Sequence, residues 1–524
     1  MVSKVLSGGV RGIEAFPVYV ETDISNGMPS FDLVGYLGSE VREARERVRT
    51  ALKNCGYVLP LAHITVNLSP ADQRKTGTGF DLPIAVSVLM SMNIIPGGAL
   101  EGTFVAGEMM LSGIITSTKG ILPMILMAKA LGAKRCIIPR ENMAEGSVVD
   151  GIDVYGVECI KEVVEIIRGE REPEKIISIL EDELSKPIEY LYDFADIKGQ
   201  SVARRGVEIA AAGLHNIIMS GPPGSGKSMI AKCIPSILPP LDEDECLEVS
   251  AIYSVKGALT KDNPLITARP FITVHHTSTD ISLIGGGVIP RPGAVSLAHK
   301  GVLFLDEVPE FSRAALESLR QPLEDKEVNI TRARDICRFP ADFMLIAAMN
   351  PCPCGHFPDR NKCHCTDAAR EKYAARISGP LLDRIDICIA TKKVSPREIM
   401  GEHGDCVASD YAVGDFDARK CNVGESSAQI RERVMKAHQI QHERYKGSGI
   451  TFNSQMNNKM IDKYCRLEDK EARTLAKLAD RYDFSARSYF RILRVARTIA
   501  DLAGVEKIRE EHLLEAVRLK LTYK

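Results

Sequence analysis

The stretch Asn216-Ile217-Ile218-Met219-Ser220-Gly221-Pro222-Pro223-Gly224-Ser225-Gly226-Lys227-Ser228-Met229-Ile230-Ala231-Lys232-Cys233 decides how the rest of the chain is read. Its apolar opening predicts a short buried strand, its glycines and prolines a turn, and its last third the start of a helix. Across Gly221, Pro222, Pro223, Gly224, Ser225 and Gly226 the backbone can turn its N–H groups inward around phosphates. The following helix N-terminus adds its partial positive charge. Lys227 is expected to reach the β- and γ-phosphates of ATP, and the Ser228 hydroxyl to ligate Mg²⁺. The short pattern also arises by chance, but strand, loop and helix follow here in the order that phosphate binding requires.

About eighty residues on, Gly301-Val302-Leu303-Phe304-Leu305 reads as a second buried strand, and it ends in Asp306-Glu307. A parallel sheet gathers its ligands at the carboxyl ends of its strands. Asp306 would hold Mg²⁺ through water, and Glu307 would orient and activate the attacking water. A third apolar run, Phe343–Met349, ends in Asn350, whose amide can sense a γ-phosphate or the lytic water. Taken singly, an exposed acidic pair or an Asn before a proline is only a strand terminator. Three strand ends meeting at one nucleotide give both a function.

Outward from this core, 524 residues require several domains. Apolar residues make up 45% and charged residues 26%. No run approaches the roughly twenty apolar residues of a membrane span, and the N-terminus lacks the apolar segment of a secretion signal. The expectation is a cytoplasmic protein without membrane partners, its fourteen cysteines reduced. A net charge of −2 excludes bulk attraction to nucleic acid, so any such binding must use local basic surfaces.

Residues 1–170 alternate strand-like runs (Val18–Val20, His63–Asn67, Cys136–Ile138) with helical ones (Phe80–Met92, broken early by Pro83, and Ile121–Leu131). The charged stretch 171–192 suits an exposed, partly helical linker. The α/β region runs over 193–395, a Gly/Asp/Ser-rich loop over 396–426, and a helical region over 427–524. Within the α/β region, Cys352-Pro353-Cys354 and Cys363-His364-Cys365 have eight residues between them. Four thiolates so placed could close a tetrahedral Zn²⁺ site; a reduced loop without metal is the alternative. Lys326–Asp335 reads as a hairpin, with Arg332 and Arg334 on one side of its second limb.

Together these residues resemble AAA+ ATPases, and the order of segments resembles the YifB/ComM family of magnesium-chelatase-like proteins over nearly the whole chain. Asn350–Gly355 and Arg376–Asp386 are the most specific stretches. The resemblance implies an α/β fold. Its parts are a P-loop AAA+ core with a parallel sheet between helices, a Lon-protease-like α+β domain (ribosomal S5 domain 2-like) before it, and a helical lid after it. Asp196-Ile197-Lys198-Gly199-Gln200 is similar to the segment that packs on adenine, with Ile197 and Gln200 as contacts. Ser378–Asp386 is similar to an arginine-finger segment and implies that Arg384 acts on a neighbouring subunit's nucleotide in a hexameric ring. Ser485-Ala486-Arg487 is similar to a sensor-2 segment, with Arg487 as the sensor. Arg491 and Arg494 share a helical face with Arg487; a solvated basic face is the alternative reading.

In the Lon-like domain the serine of the family's dyad falls at Gly79, and its lysine partner at about Leu122. A Ser–Lys dyad needs a hydroxyl and a desolvated amine, so the domain is expected not to cleave. A displaced dyad from Thr78 with Lys75 or Lys119 is the alternative. The resemblance favours DNA remodelling, as helicase or branch-migration motor on single-stranded or branched DNA, with Arg332 or Arg334 on the backbone. Metal insertion and protein unfolding are the competing readings, because fold alone does not choose between them.

Overall fold

The computed structural model describes residues 2–176, 178–287, 290–332, 335–393 and 424–521, with backbone alone at 332, 335 and 336. Arg334 and most of the loop 396–426 therefore lie outside the described residues.

The N-terminal region is an eight-stranded mixed sheet in the order Lys175–Ile176, Asp153–Val157, Arg135–Pro139, Thr103–Val105, Ser3–Arg11, Glu14–Ser25, His63–Ser69, Ser30–Val34. Alternation fixes its faces. Val5, Val18, Val20, Ile64, Val66 and Leu68 point to one side, where helices Ser39–Asn54 and Asp81–Ser91 cover them. Pro83 does not break the second helix as expected. It sits in the first turn, where its missing N–H has no intrahelical acceptor to lose. The other face, with Phe104, Cys136 and Ile138, packs on helix Ile121–Ala130 and then on Glu243–Lys256 of the next region, in one continuous apolar cluster. The charged stretch after residue 170 adds the edge strand Lys175–Ile176, antiparallel to Asp153–Val157, and the helix Leu180–Ser185.

The central region is a five-stranded parallel sheet in the order Phe271–Val274, Val302–Leu305, Met344–Met349, Ile217–Ser220, Ile387–Ala390. Every residue of Met344–Met349 is buried, as the middle strand of a sheet covered on both faces requires. Ser220, Leu305 and Met349 end side by side at the carboxyl edge. Beyond the sheet, Glu327–Arg332 pairs antiparallel with Asp335–Pro340, rooted by buried Val328 and Phe339. Arg332 pairs with Asp335, so it closes the first limb instead of lying on the second.

Helices Ser427–Tyr445, Asn458–Tyr464, Asp469–Tyr482, Ala486–Leu502 and Glu510–Leu521 form the C-terminal region and share one core with helix Ser201–Gly213 of the central region. A polar centre ties them. Asp501 accepts hydrogen bonds from Arg444 (2.7 and 2.5 Å), Arg497 (3.0 Å) and Asn453 (2.8 Å).

Candidate active site

The phosphate loop runs from Gly221 to the helix Lys227–Cys233. Gly224 and Gly226 have φ of 74° and 84°, a region costly for other residues. A Cβ on either would meet nothing within 4 Å, so conformation demands glycine there and the ground beside the loop stays open. Gly221 is glycine for space, since a Cβ would lie 2.5 Å from the Thr391 carbonyl oxygen. The amides of the helix's first turn have no intrahelical acceptor and are free to meet an anion.

Lys227 donates to the Gly221 and Pro222 carbonyls at 2.7 and 3.1 Å and to Asn350 Oδ1 at 3.4 Å. Burial lowers its pKa, against the pull of Asp306 and Glu307. Ser228 Oγ donates to Asp306 Oδ2 at 3.0 Å. A hydroxyl and a carboxylate in contact are the few hard oxygens that Mg²⁺ takes from protein when phosphates and water supply the rest, so the residues fit that ion. Glu307 has φ 52°, unusual for a residue with a side chain. Its Oε2 lies 3.4 Å from His276 Nδ1, without hydrogen-bond geometry. His276 follows the neighbouring strand Phe271–Val274, and sequence reasoning gave it no role here. Thr391 was missed as well. Its hydroxyl is 2.7 Å from Ser225 Oγ and braces the loop from the end of strand Ile387–Ala390. Sheet order alone reveals both neighbours.

Ile197 is buried with Phe194 in the central core. Gln200 donates to the Ser225 carbonyl at 3.0 Å and accepts from the Lys392 amide at 3.4 Å. The segment thus straps the flank of the phosphate loop.

Arg384 and Arg487 lie elsewhere. Arg384 precedes strand Ile387–Ala390, whose far end, through Thr391, touches Ser225. Four strand residues span about 13 Å, so Arg384 sits at the opposite edge of the sheet from its own phosphate loop. Its side chain, 9% exposed, pairs with Glu324 and donates to the Pro380 carbonyl at 2.5 Å. Arg487, 69% exposed, is 3.6 Å from Asp383 at the same edge. Beneath them Asp386 takes His215 Nδ1 at 3.2 Å and Arg491 at 3.6 Å. Burial alone would raise its pKa, but the His215 hydrogen bond and the Arg491 charge hold it well below the usual carboxylate range. Arg491 and Arg494 are not a solvated basic face: Arg491 also binds the Ile385 carbonyl and Arg494 the Ser454 carbonyl.

The four cysteines converge. Cys352, Cys354, Cys363 and Cys365 hold their sulfurs within 4.8 Å of one another. In the N-terminal domain the side chains of the displaced pairs have other partners. Thr78 donates to Glu108, and the buried Lys75 amine donates to the Pro70 carbonyl. Lys119 lies along Gly257 of the central region, and Leu122 is core.

Residues 193–399 match the family description "Magnesium chelatase, subunit ChlI", residues 20–142 "Subunit ChlI of Mg-chelatase" and residues 424–520 "Magnesium chelatase, subunit ChlI C-terminal". The chain is 40% identical over 502 residues to an uncharacterised protein of Mycobacterium tuberculosis, covering 96% of this chain and 95% of that one. It is 39% identical over 515 residues to competence protein ComM of Haemophilus influenzae (98% and 96%). With the uncharacterised protein YifB of Salmonella typhimurium it shares 38% over 506 residues (97% and 94%). Among the described residues no helix is long and apolar enough to cross a membrane.

Proposed function

This chain belongs to the YifB/ComM family of magnesium-chelatase-like AAA+ proteins, and we propose that it is a ring-forming ATPase that couples ATP hydrolysis to remodelling of single-stranded or branched DNA. One observation carries the ATPase reading: Lys227, the Ser228–Asp306 pair, Glu307 and Asn350 meet at one sheet edge. Lys227 and the loop amides bind and orient the phosphates. Bound Mg²⁺ would be held by Ser228 and Asp306 and would neutralise phosphate charge. Glu307 takes the proton of the attacking water, and Asn350 positions that water or the γ-phosphate. Charge developing on the transferred group needs a further cation. Arg384, at the far edge, serves the site of the next subunit, which makes the working unit a ring, proposed as a hexamer. Arg487 at the same edge acts on the same neighbour. Zinc held by the four cysteines completes the cofactor set. The N-terminal domain binds or assembles and does not cleave.

That a full-length relative is a competence protein favours DNA as the substrate, and the hairpin 327–340 is the candidate grip. ATP turnover measured with and without single-stranded and forked DNA, for the parent and Arg332→Ala, tests this. DNA should stimulate the parent and fail to stimulate the variant. Stimulation by unfolded protein and none by DNA would replace the DNA reading with a chaperone one.

A further inference from the structure

The cysteine loop is attached to the nucleotide site at two points. Cys352 is fully buried and follows Asn350 by two residues. Gly355, at φ 78°, approaches the phosphate loop so closely that a Cβ would stand 2.8 Å from Pro223 Cδ and 4.0 Å from Asn350 Cγ. Between these anchors and helix Asp367–Ala374 the chain has Phe357 as its one large apolar side chain and is mostly exposed, so apolar burial does not order it. The Arg370 guanidinium lies over the Phe357 ring, 4.0 Å away.

The sulfur spacing points to a metal ion as what orders it. Cys352–Cys354, Cys354–Cys363 and Cys352–Cys363 are 3.4, 3.6 and 3.7 Å apart. A disulfide needs about 2.05 Å. A tetrahedral ion with Zn–S bonds of about 2.3 Å sets its sulfurs about 3.8 Å apart. The three separations are those of a tetrahedral face, and Cys365 supplies the fourth corner within the same 4.8 Å limit.

We propose that Zn²⁺ on Cys352, Cys354, Cys363 and Cys365 pins Pro223 and Asn350 in place, so that occupancy of the metal site sets the affinity of the phosphate loop for ATP. This rests on the ATPase reading above and adds a control element to it. The cross-link replaces the missing apolar core of the loop, and the Gly355–Pro223 contact passes its rigidity to the phosphate cradle. Without the metal, Asn350 and Pro223 lose their outer support while the five-stranded sheet stays intact.

The test compares zinc content with binding of a fluorescent ATP analogue. Protein purified without chelator should carry one zinc per chain by elemental analysis. Stripping it should weaken analogue binding about tenfold, on the scale of lost supporting contacts at metal sites, with far-ultraviolet ellipticity unchanged. Gly355→Ala with full zinc occupancy should still bind the analogue several-fold more weakly, because the added methyl collides with Pro223 and strains a backbone held at φ 78°. Absence of zinc overturns the proposal. So does zinc whose removal, and a Gly355→Ala variant whose behaviour, leave analogue binding within twofold of the parent. Zinc-loaded parent that binds no analogue fails at the earlier step and overturns the ATPase reading with it.

Discussion

Glu307 stands out at the residue scale because its backbone is held at φ 52° and its carboxylate faces His276. Glu307→Gln keeps the size of the side chain and removes its basicity. Turnover should fall about 10²–10⁴-fold, the range for loss of a general base, while ATP affinity stays near that of the parent. Phosphate release and analogue binding measured side by side check this, and unchanged turnover would mean that another group activates the water. Asp386 gives a pH prediction. Its folded pKa lies below the ordinary value of 3.8. Its contribution to stability is therefore complete above that value and disappears as pH falls through the lower folded one. Asp386→Asn should be less stable at neutral pH and lose less stability below about pH 4. The chain has no tryptophan, so ellipticity is the probe. Lys227, Ser228 and Asp306 could be named from sequence because each sits in a short local pattern whose chemistry allows few alternatives. Glu324, His215 and His276 could not. Each meets its partner only after distant segments pack, and no local spacing records that meeting.

Elements were legible to the extent that their signals were local. Buried strands such as Val302–Leu305 and Met344–Met349 declare themselves as short apolar runs. The hairpin was found but Arg332 was set on the wrong limb, because alternation along Glu327–Arg332 reads the same whichever limb it belongs to. Pairing of Arg332 with Asp335 decides it. Strand Lys175–Ile176 was hidden in a charged stretch because it is a two-residue edge with little to bury. The helical region contributes a prediction at this scale. Asp501 is the shared acceptor of Arg444, Arg497 and Asn453, and removing it leaves two guanidinium groups of low exposure without their counter-charge. Asp501→Ala should destabilise this region by about 3–5 kcal/mol, as breaking a buried ion pair does. A lowered first thermal transition, with the N-terminal domain's transition unmoved, is the expected calorimetric result.

Seen as a whole, the molecule carries the residues proposed for catalysis on two opposite edges of one parallel sheet. Lys227, Asp306, Glu307 and Asn350 occupy the carboxyl edge; Arg384 and Arg487 occupy the other, beside Asp383 and Asp386. A rigid strand of four residues separates them, so loop motion in one subunit cannot join them. On the proposed assignment the complete site needs two copies, and mixing experiments test it. Lys227→Ala has an intact Arg384 but cannot hold phosphates. Arg384→Ala has an intact phosphate loop but offers its neighbour no cation. Each alone should be nearly inactive, since a missing arginine of this kind costs roughly 10³–10⁵ in turnover. In a mixed ring, every junction that sets an Arg384→Ala phosphate loop against a Lys227→Ala neighbour has both halves. Equal mixing makes about one junction in four of that kind, by random placement, so activity should return to about a quarter of the parent's if junctions act independently. Titrating one variant into the other should give a maximum near equal amounts. A flat titration at the inactive level, with mixed rings demonstrated by mass, would place the arginine's action within its own chain and refute the shared site.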